Sequence, residues 1–188
     1  LPFSDMEIAR YGLCARTVRM KLLLHGQKST FINSNGIIFL TQHTRKIMVS
    51  KYPKLAQLNQ KIIPHGVDPI FSNVKRNSTH VTNPVKLLYV STVDLYKHQW
   101  NVVSAVSELR KEGFDVELSL VGTSYPKALE KLNASIYRAD KNSKFIKYDG
   151  FIENIDLPSI YKESDLFIFA STCENFPIIL LEAMASQL

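Results

Sequence analysis

Apolar runs and longer amphipathic stretches alternate between residues 85 and 188, and this alternation constrains the fold more than any other feature. The apolar runs predict strands at residues 85–90, 116–121, 144–148 and 166–170. The stretches between and after them predict helices at residues 97–112, about 126–138, 157–163 and 178–185. Strands that alternate with helices of this length form a parallel sheet with helices packed on both faces. The sequence therefore predicts an α/β fold with a parallel, doubly wound sheet.

The first part of the chain carries a weaker pattern of the same kind. We predict a helix from Asp5 to about Gln27, with Gly26 near its end, and a buried strand at residues 36–40. A helix capped by Thr41 and a short strand at residues 61–64 follow. Residues 69–84 are polar and irregular, which is typical of a linker. We therefore expect one domain at residues 1–68, a linker at 69–84 and a second domain at 85–188.

Positive charge is concentrated in the first part of a chain whose net charge is +6. Residues 1–63 hold ten lysines and arginines but only two carboxylates, Asp5 and Glu7. Such a basic segment suits anionic lipid, an anionic substrate or nucleic acid. A solvated helix face explains the same pattern more simply. No recognisable nucleic-acid motif accompanies the charge, so we expect no nucleic-acid partner.

Other classes of protein find little support in the sequence. No apolar run approaches the ~18 residues of a membrane-spanning helix. Cys14 and Cys173 lie far apart in the sequence and suggest no disulfide framework, which favours a reducing, cytoplasmic setting. We further expect contact with the inner face of the membrane through the basic first part of the chain. The five histidines lack ligand spacing, and there is no Asp-x-Asp pair. We therefore expect no metal site.

The last stretch, residues 164–188, holds the strongest candidate for a ligand site. The predicted strand ends in a polar turn, STCEN, and Pro177 suits the first position of the helix that follows because its missing N–H is not needed there. Glu174 lies in this turn, and Glu182 is a lone carboxylate in an otherwise apolar helix. Burying a lone carboxylate is costly unless it is hydrogen-bonded. A strand, a turn and a helix N-terminus form the usual ligand crevice of an open α/β sheet.

Two further strand ends carry weaker signals. The segment STVDLYKH at residues 91–98 offers the hydroxyls of Ser91 and Thr92 and the ammonium group of Lys97, which suits a phosphate. It contains no glycine, so it is neither a P-loop nor a dinucleotide-binding turn. Taken alone, Lys97 is most simply a surface lysine. Gly122 and the segment Gly150-Phe151-Ile152 could bring backbone groups close to a ligand, although a turn glycine is the simpler explanation of Gly122.

Taken together, these segments resemble the retaining glycosyltransferases of family 4, which have the GT-B fold. The segments that carry the resemblance are Lys97 after a strand and turn, LVG at 120–122, YDGF at 148–151 and ENFPIILLEAMA at 174–185. Glu174 and Glu182 stand at the E-x7-E spacing of that family. The segment PHGVD at 64–68 is similar to the family's crossing between its two domains. The resemblance covers nearly the whole chain and is strongest from Val85 onward.

The resemblance implies a fold and a set of residue roles. The fold would be a truncated pair of Rossmann-like domains, with the second lobe nearly complete and only the end of the first. Lys97 and Glu174 would be the catalytic residues, with Lys97 on the donor diphosphate and Glu174 on the sugar hydroxyls. Glu182 would accept hydrogen bonds from the ribose. The remaining donor-binding residues implied by the resemblance are Ser91, Thr92, Gly122, Phe151, Ile152, Asn175, Phe176 and Ile178. Phe151 and Ile152 would meet the nucleobase, and Thr92 stands where the family usually has arginine.

The resemblance also implies an activity. The chain would transfer a sugar from a nucleoside-diphosphate sugar to a glycan or lipid-linked acceptor, as in polysaccharide biosynthesis. The anomeric configuration would be retained, with no cofactor and no essential metal. Two alternatives stay open at this point: a nucleotide-sugar epimerase of the same fold, and a catalytically silent nucleotide-binding module. The second alternative follows from Thr92, because threonine supplies no second positive charge for the diphosphate.

Overall fold

A computed structural model describes residues 8–73 and 82–188 of the chain, which form two compact units. The first unit contains the described residues up to Gly66 together with Cys173–Pro177. The second contains the described residues of Val67–Thr172 together with Ile178–Leu188. Residues 74–81 of the expected linker lie outside the described residues, and the expected domain boundaries stay a prediction.

The first unit is built on two parallel strands. Its elements are α1 (Ala15–Ile32), β1 (Gly36–Phe39), α2 (Gln42–Lys51), a 3-10 helix (Pro53–Gln57) and β2 (Asn59–Ile62). Helix α2 begins where the sequence predicts, because the hydroxyl of Thr41 accepts a hydrogen bond from the N–H of Thr44 at 3.0 Å. Its inner face packs Met48 against Phe39 and Leu55, which are all buried.

The second unit is built on a four-stranded sheet in which every pair of neighbours is parallel, in the order β5-β4-β3-β6. Its elements are α3 (Pro69–Ser72), β3 (Val85–Val90), α4 (Gln99–Lys111), β4 (Val116–Val121), α5 (Pro126–Ala139), β5 (Ile146–Gly150), α6 (Leu157–Glu163), β6 (Leu166–Phe167) and α7 (Ile178–Ala185). The parallel α/β fold that the sequence predicts is thereby confirmed.

Strand β3 is buried on both faces over residues 87–90, which explains why these four residues are all apolar or aromatic. Leu87 and Tyr89 face one way, into a core shared with Leu118, Val103 on α4 and other residues. Leu88 and Val90 face the other way, into a second core that contains residues of α3, α6 and α7. These two layers fix β3 in the middle of the unit and bring its carboxyl end to the edge of the sheet where ligands usually bind.

Helix α1 differs from the prediction at both ends. It begins at Ala15, after Gly12, whose φ of +64° is incompatible with a continuous helix. Residues 1–7, which include the expected helix start at Asp5, lie outside the described residues. The helix continues past Gly26 to Ile32. A single glycine on an exposed helix costs only about 1 kcal/mol, so Gly26 does not end it.

Two strands that the sequence predicts to be buried, β6 and β1, are partly exposed to solvent. Strand β6 pairs over Leu166–Phe167 alone, and Leu166 is 52% exposed. The strand lies at the edge of the sheet, where it is paired on one side only among the described residues. In β1, Ile38 is 64% exposed for the same reason, since the first sheet has two described strands. The apolar pattern shows that these residues favour burial, but it does not show which neighbours cover them.

None of the helices in the described part of the chain is both long and apolar enough to cross a bilayer.

Candidate functional site

The loops that follow β3 and β4 lie side by side at the carboxyl edge of the second sheet. The N–H of Ser91 donates to the carbonyl of Val121 at 2.8 Å, which extends the strand pairing by one residue. Beyond this pair, the N–H of Val93 donates to the carbonyl of Thr123 at 2.7 Å. The N–H of Tyr125 then donates back to Val93 at 2.9 Å. These bonds fix the backbone of residues 91–93, and they do so without any glycine in that loop.

Lys97 is a buried residue with only 7% of its surface exposed, so it is not the surface lysine that it resembles when taken alone. The phenol hydroxyl of Tyr89, which is part of the core, donates to the carbonyl of Lys97 at 2.7 Å. The Nζ atom lies 5.2 Å from the centre of the Tyr96 ring. His98 takes a left-handed conformation with φ of +56°, and α4 begins only at Gln99. The expected helix start at residue 97 is therefore two residues early, and Lys97 lies in the loop.

Gln99 contacts two of the candidate site residues, and the sequence did not single it out. Its side chain is 1% exposed, and its Nε2 donates to Ser91 Oγ at 2.9 Å and to the carbonyl of Thr92 at 3.0 Å. Its Oε1 is buried and has no hydrogen-bond partner among the described residues. A glutamine in the first turn of a helix is common, so the sequence alone offered no signal. The two donated bonds tie the start of α4 to the loop that carries Thr92.

The backbone requires a glycine at position 122. Its φ is +137°, and a Cβ atom placed there would lie 2.2 Å from the carbonyl oxygen of Ser91. Its N–H donates to the carbonyl of Gly150 at 2.7 Å, and its carbonyl accepts from the hydroxyl of Tyr148 at 2.8 Å. The close approach therefore joins the ends of β3, β4 and β5. The role of Gly122 in donor binding stays a prediction.

The remaining candidates of this edge are more exposed. The hydroxyl of Thr92 lies 3.2 Å from that of Thr123, and both side chains are exposed. Phe151 follows β5 directly and is 63% exposed, while Ile152 is half-buried. An exposed aromatic ring at the end of a parallel strand is a surface on which a base could stack.

Glu182 is half-buried on α7, and its carboxylate accepts a hydrogen bond from another helix. The hydroxyl of Tyr161, on α6, donates to its Oε2 at 3.0 Å. Burial raises the pKa of Glu182 above its usual range, and the bond from Tyr161 opposes this rise. Helix α7 begins at Ile178, directly after Pro177, and Ile178 is exposed. The partner of Glu182 lies 21 residues away in sequence, so spacing gave no indication of it.

Three predicted site residues belong to the first unit. Glu174, Asn175 and Phe176 are all half-buried in the segment Cys173–Pro177, which groups with that unit. The side-chain oxygen of Asn175 accepts a hydrogen bond from the hydroxyl of Thr44. The ring of Phe176 lies 5.9 Å from that of His65. The structure thus brings Ser91, Thr92, Lys97 and Gly122 together in the second unit, and assigns the three residues of this turn to the first.

The chemistry of the second-unit site suits an anion with hydroxyl groups attached. A lysine held in the loop after a parallel strand attracts phosphate, and the same loop carries the exposed hydroxyl of Thr92. Among residues 8–73 and 82–188, no three histidine, cysteine, aspartate or glutamate side chains are grouped to hold a metal ion.

Comparison with known proteins gives a family match over most of the chain. Residues 71–188 match the family model described as glycosyl transferases group 1. A curated relative is the UDP-N-acetylglucosamine–peptide N-acetylglucosaminyltransferase GtfA subunit of Streptococcus pneumoniae serotype 4. It is 26% identical over 161 residues, which are 84% of this chain and 30% of the relative.

Solved structures resemble the fold over at least 85% of this chain. The pneumococcal O-GlcNAc transferase GtfA, in complex with UDP and GlcNAc, has a TM-score of 0.68 and 25% identity over 85% of this chain and 31% of its own. HepE of Anabaena, in complex with UDP and glucose, has a TM-score of 0.69 and 19% identity over 95% and 48% of the two chains. The sucrose-phosphate synthase of Thermosynechococcus elongatus has a TM-score of 0.69 and 18% identity over 98% and 47%. The chain thus spans between about a third and a half of these proteins.

Proposed function

Because the chain belongs to the glycosyl transferases group 1 family, we propose that it binds the nucleoside-diphosphate sugar from which a sugar is transferred to an acceptor. The observation that carries this proposal is the placement of Lys97. It lies in the loop after β3, it is buried, and its backbone carbonyl is held by Tyr89 at the carboxyl edge of a parallel sheet. A lysine fixed in this way can stabilise the negative charge that builds up on a departing diphosphate.

We propose uridine diphosphate as the nucleotide. The GtfA relative supports this choice, since it is named for UDP-N-acetylglucosamine and its structure contains UDP and GlcNAc. Phe151 and Ile152 would then meet the uracil, and Glu182 would accept from the ribose hydroxyls. The role of Glu174, in the first unit, as acceptor for sugar hydroxyl groups stays a prediction of the resemblance. Carboxylates accept hydrogen bonds from hydroxyl groups strongly, which suits both tasks.

The acceptor and the stereochemistry are further parts of the proposal. We propose retention of the anomeric configuration, and a glycan or lipid-linked acceptor. The name of the GtfA relative adds a peptide as a third acceptor class to be tested. The anomeric proton couplings of the product, read by NMR, distinguish retention from inversion. The cytoplasmic location, the membrane contact of the basic segment and the absence of an essential metal stay predictions.

Substitution of Lys97 by alanine tests the site directly. We expect UDP binding to weaken by about 1–3 kcal/mol, the range for a hydrogen bond to a charged group. The measurement is isothermal titration calorimetry of the folded protein with UDP and with uridine. Uridine has no phosphate, so its binding should change much less. Lys111→Ala is the matched control, because Lys111 is an exposed lysine at the far end of α4.

Two results would contradict this assignment. Unchanged UDP affinity in a folded Lys97→Ala variant would remove Lys97 from the site. An equal loss of affinity for UDP and uridine would show that the lysine maintains the fold of the pocket rather than contacting phosphate.

The epimerase alternative is tested with the nucleoside-diphosphate sugar alone, because an epimer would then form without acceptor. The silent-module alternative requires UDP binding without turnover.

A further inference from the structure

Tyr161 is fixed by aromatic packing from two other elements of the second unit. Its side chain is fully buried, on α6. The ring of Phe71 on α3 meets it edge-on, with centroids 5.5 Å apart at 87°. The ring of Phe167 on β6 stacks on it at 5.7 Å and 18°. A ring held between two others has a single orientation available, so its hydroxyl is aimed in one direction.

The hydroxyl of this ring is aimed at helix α7. It lies 3.0 Å from Oε2 of Glu182 and 3.5 Å from the carbonyl oxygen of Ile179. A phenol donates a single proton, and the shorter contact to the carboxylate is the stronger one. Burial, followed by the charge of Glu182, raises the pKa of the Tyr161 phenol above its ordinary value. The phenol therefore stays protonated and remains a donor over the whole working pH range.

A carboxylate that accepts one bond from the protein keeps acceptor capacity for a ligand. Glu182 has two oxygens with about four acceptor positions, and the described contacts use one of them. The hydrogen bond also favours the charged form of a group that burial disfavours. A charged carboxylate held in one place is the acceptor that a pair of neighbouring hydroxyl groups requires.

Resting on the function proposed above, we propose that Tyr161 is a positioning residue that holds Glu182 as the acceptor for the ribose hydroxyls of a nucleoside diphosphate. A purely structural tyrosine explains the burial of the ring, but it requires no link between the phenol hydroxyl and the ribose. The two explanations therefore differ in a measurable way. If Tyr161 positions Glu182, removing the phenol hydroxyl lowers the affinity only for ligands that carry ribose hydroxyl groups. If Tyr161 is purely structural, the change in affinity does not depend on those groups.

The experiment compares UDP with 2′,3′-dideoxyuridine diphosphate by calorimetry. Four proteins are needed: the parent, Tyr161→Phe, Glu182→Gln and Tyr137→Phe. Tyr161→Phe keeps the ring and its stacking, and thermal melting verifies that it is folded. Tyr137 is 61% exposed on α5, so Tyr137→Phe makes the same chemical change outside the cluster.

We expect the parent to bind UDP more tightly than the dideoxy nucleotide, and Glu182→Gln to lose most of this preference. Tyr161→Phe should weaken UDP binding about three- to tenfold, the size of one hydrogen bond. Its affinity for the dideoxy nucleotide should change less than about twofold, within the spread expected when no contact is lost. Tyr137→Phe should match the parent with both ligands.

Other results have distinct meanings. If the parent binds neither nucleotide, the proposed function itself fails. If the parent binds UDP and Glu182→Gln keeps the preference, the ribose role of Glu182 fails, and the role of Tyr161 fails with it. If Glu182→Gln loses the preference but Tyr161→Phe keeps it, or loses affinity for both ligands equally, Tyr161 is structural only.

NMR of the parent protein gives an independent check, with Glu182→Gln used only to assign the resonance. With 13C-labelled glutamate, the side-chain carboxyl resonance of Glu182 can be identified by its absence in Glu182→Gln. Saturating UDP should shift this resonance, while the dideoxy nucleotide should leave it nearly in place. An unmoved resonance with UDP bound would overturn the proposal.

Discussion

Replacing Gly122 by alanine should lower the free energy of unfolding by about 3–5 kcal/mol. The added Cβ would lie 2.2 Å from the carbonyl oxygen and 2.6 Å from the carbonyl carbon of Ser91. Both are backbone atoms, so no side chain can turn aside to make room. The loops after β3 and β4 would have to separate, which strains the bond from the N–H of Ser91 to Val121 and that from Gly122 to Gly150. The φ of +137° adds further strain for any residue with a side chain.

The matched control for this change is Gly113→Ala. Gly113 also has a positive φ, +95°, but a Cβ there would meet nothing within 4 Å. We expect that variant to lose only about 1–2 kcal/mol, from backbone strain alone. Urea denaturation of the three proteins measures both values. Equal losses for Gly113→Ala and Gly122→Ala would show that the close approach of the two loops is not what requires glycine at position 122.

Asparagine in place of Asp140 should destabilise the protein by about 2–4 kcal/mol, through the loss of charge-assisted hydrogen bonds in a buried place. Asp140 is 5% exposed at the end of α5. Its carboxylate accepts from the N–H groups of Lys144, Phe145 and Ile146 at 2.8, 2.6 and 2.8 Å. The asparagine side chain has a single oxygen to accept these hydrogen bonds, and its NH2 group would face at least one backbone N–H that the carboxylate accepts from. The entry into β5 is thereby disturbed.

The same carboxylate predicts a pH dependence. Burial acts to raise the pKa of Asp140, but the three N–H groups outweigh it and hold the pKa below its ordinary value. Its contribution is therefore fully present above the ordinary aspartate pKa of about 3.9 and is lost as the pH falls through the lowered value. The difference in stability between the parent and Asp140→Asn should shrink as the pH is taken from 5 toward 2.

Asp115→Asn is the matched control for this prediction. Asp115 forms an exposed ion pair with Arg110, and such pairs contribute about 0–1 kcal/mol. Denaturant melts at pH 7 should separate the two variants clearly. A loss for Asp140→Asn no larger than that for Asp115→Asn would contradict the structural role of the three amide bonds.

Local sequence predicted the central strands well. Residues 85–90 and 116–121 were expected as strands and form β3 and β4 with those bounds. Both segments are rich in valine and leucine and are bounded by sharp signals, a proline before β3 and a glycine after β4. The two-residue shift of β5, expected at 144–148 and found at Ile146–Gly150, has no such signal at its start. The length of β6 depends on which strands pair with it, and a pattern of apolar residues does not predict strand partners.

The candidate site residues were named from the sequence, but the contacts that hold them in the structure were not. Resemblance gave Lys97 and Glu182, whereas the burial of Lys97 is a property of the packed fold, in which Tyr89 holds its backbone carbonyl. Gln99 was missed because its partners, Ser91 and Thr92, lie across a loop whose path sequence does not fix. Tyr161 was missed because its hydroxyl is placed by aromatic rings on two other elements, Phe71 on α3 and Phe167 on β6. Such contacts are properties of the packed fold.

The two sheets also differ in how many partners each strand has. In the second unit, β4 pairs with a strand on each side, and its inner residues are buried. In the first, β1 and β2 pair only with each other among the described residues, and a pair of strands is marginal by itself. Amide groups in such a pair open to solvent at a small cost, while those of a central strand open only when the unit unfolds. In heavy water, deuterium should therefore replace the amide protons of β2 long before it enters β4.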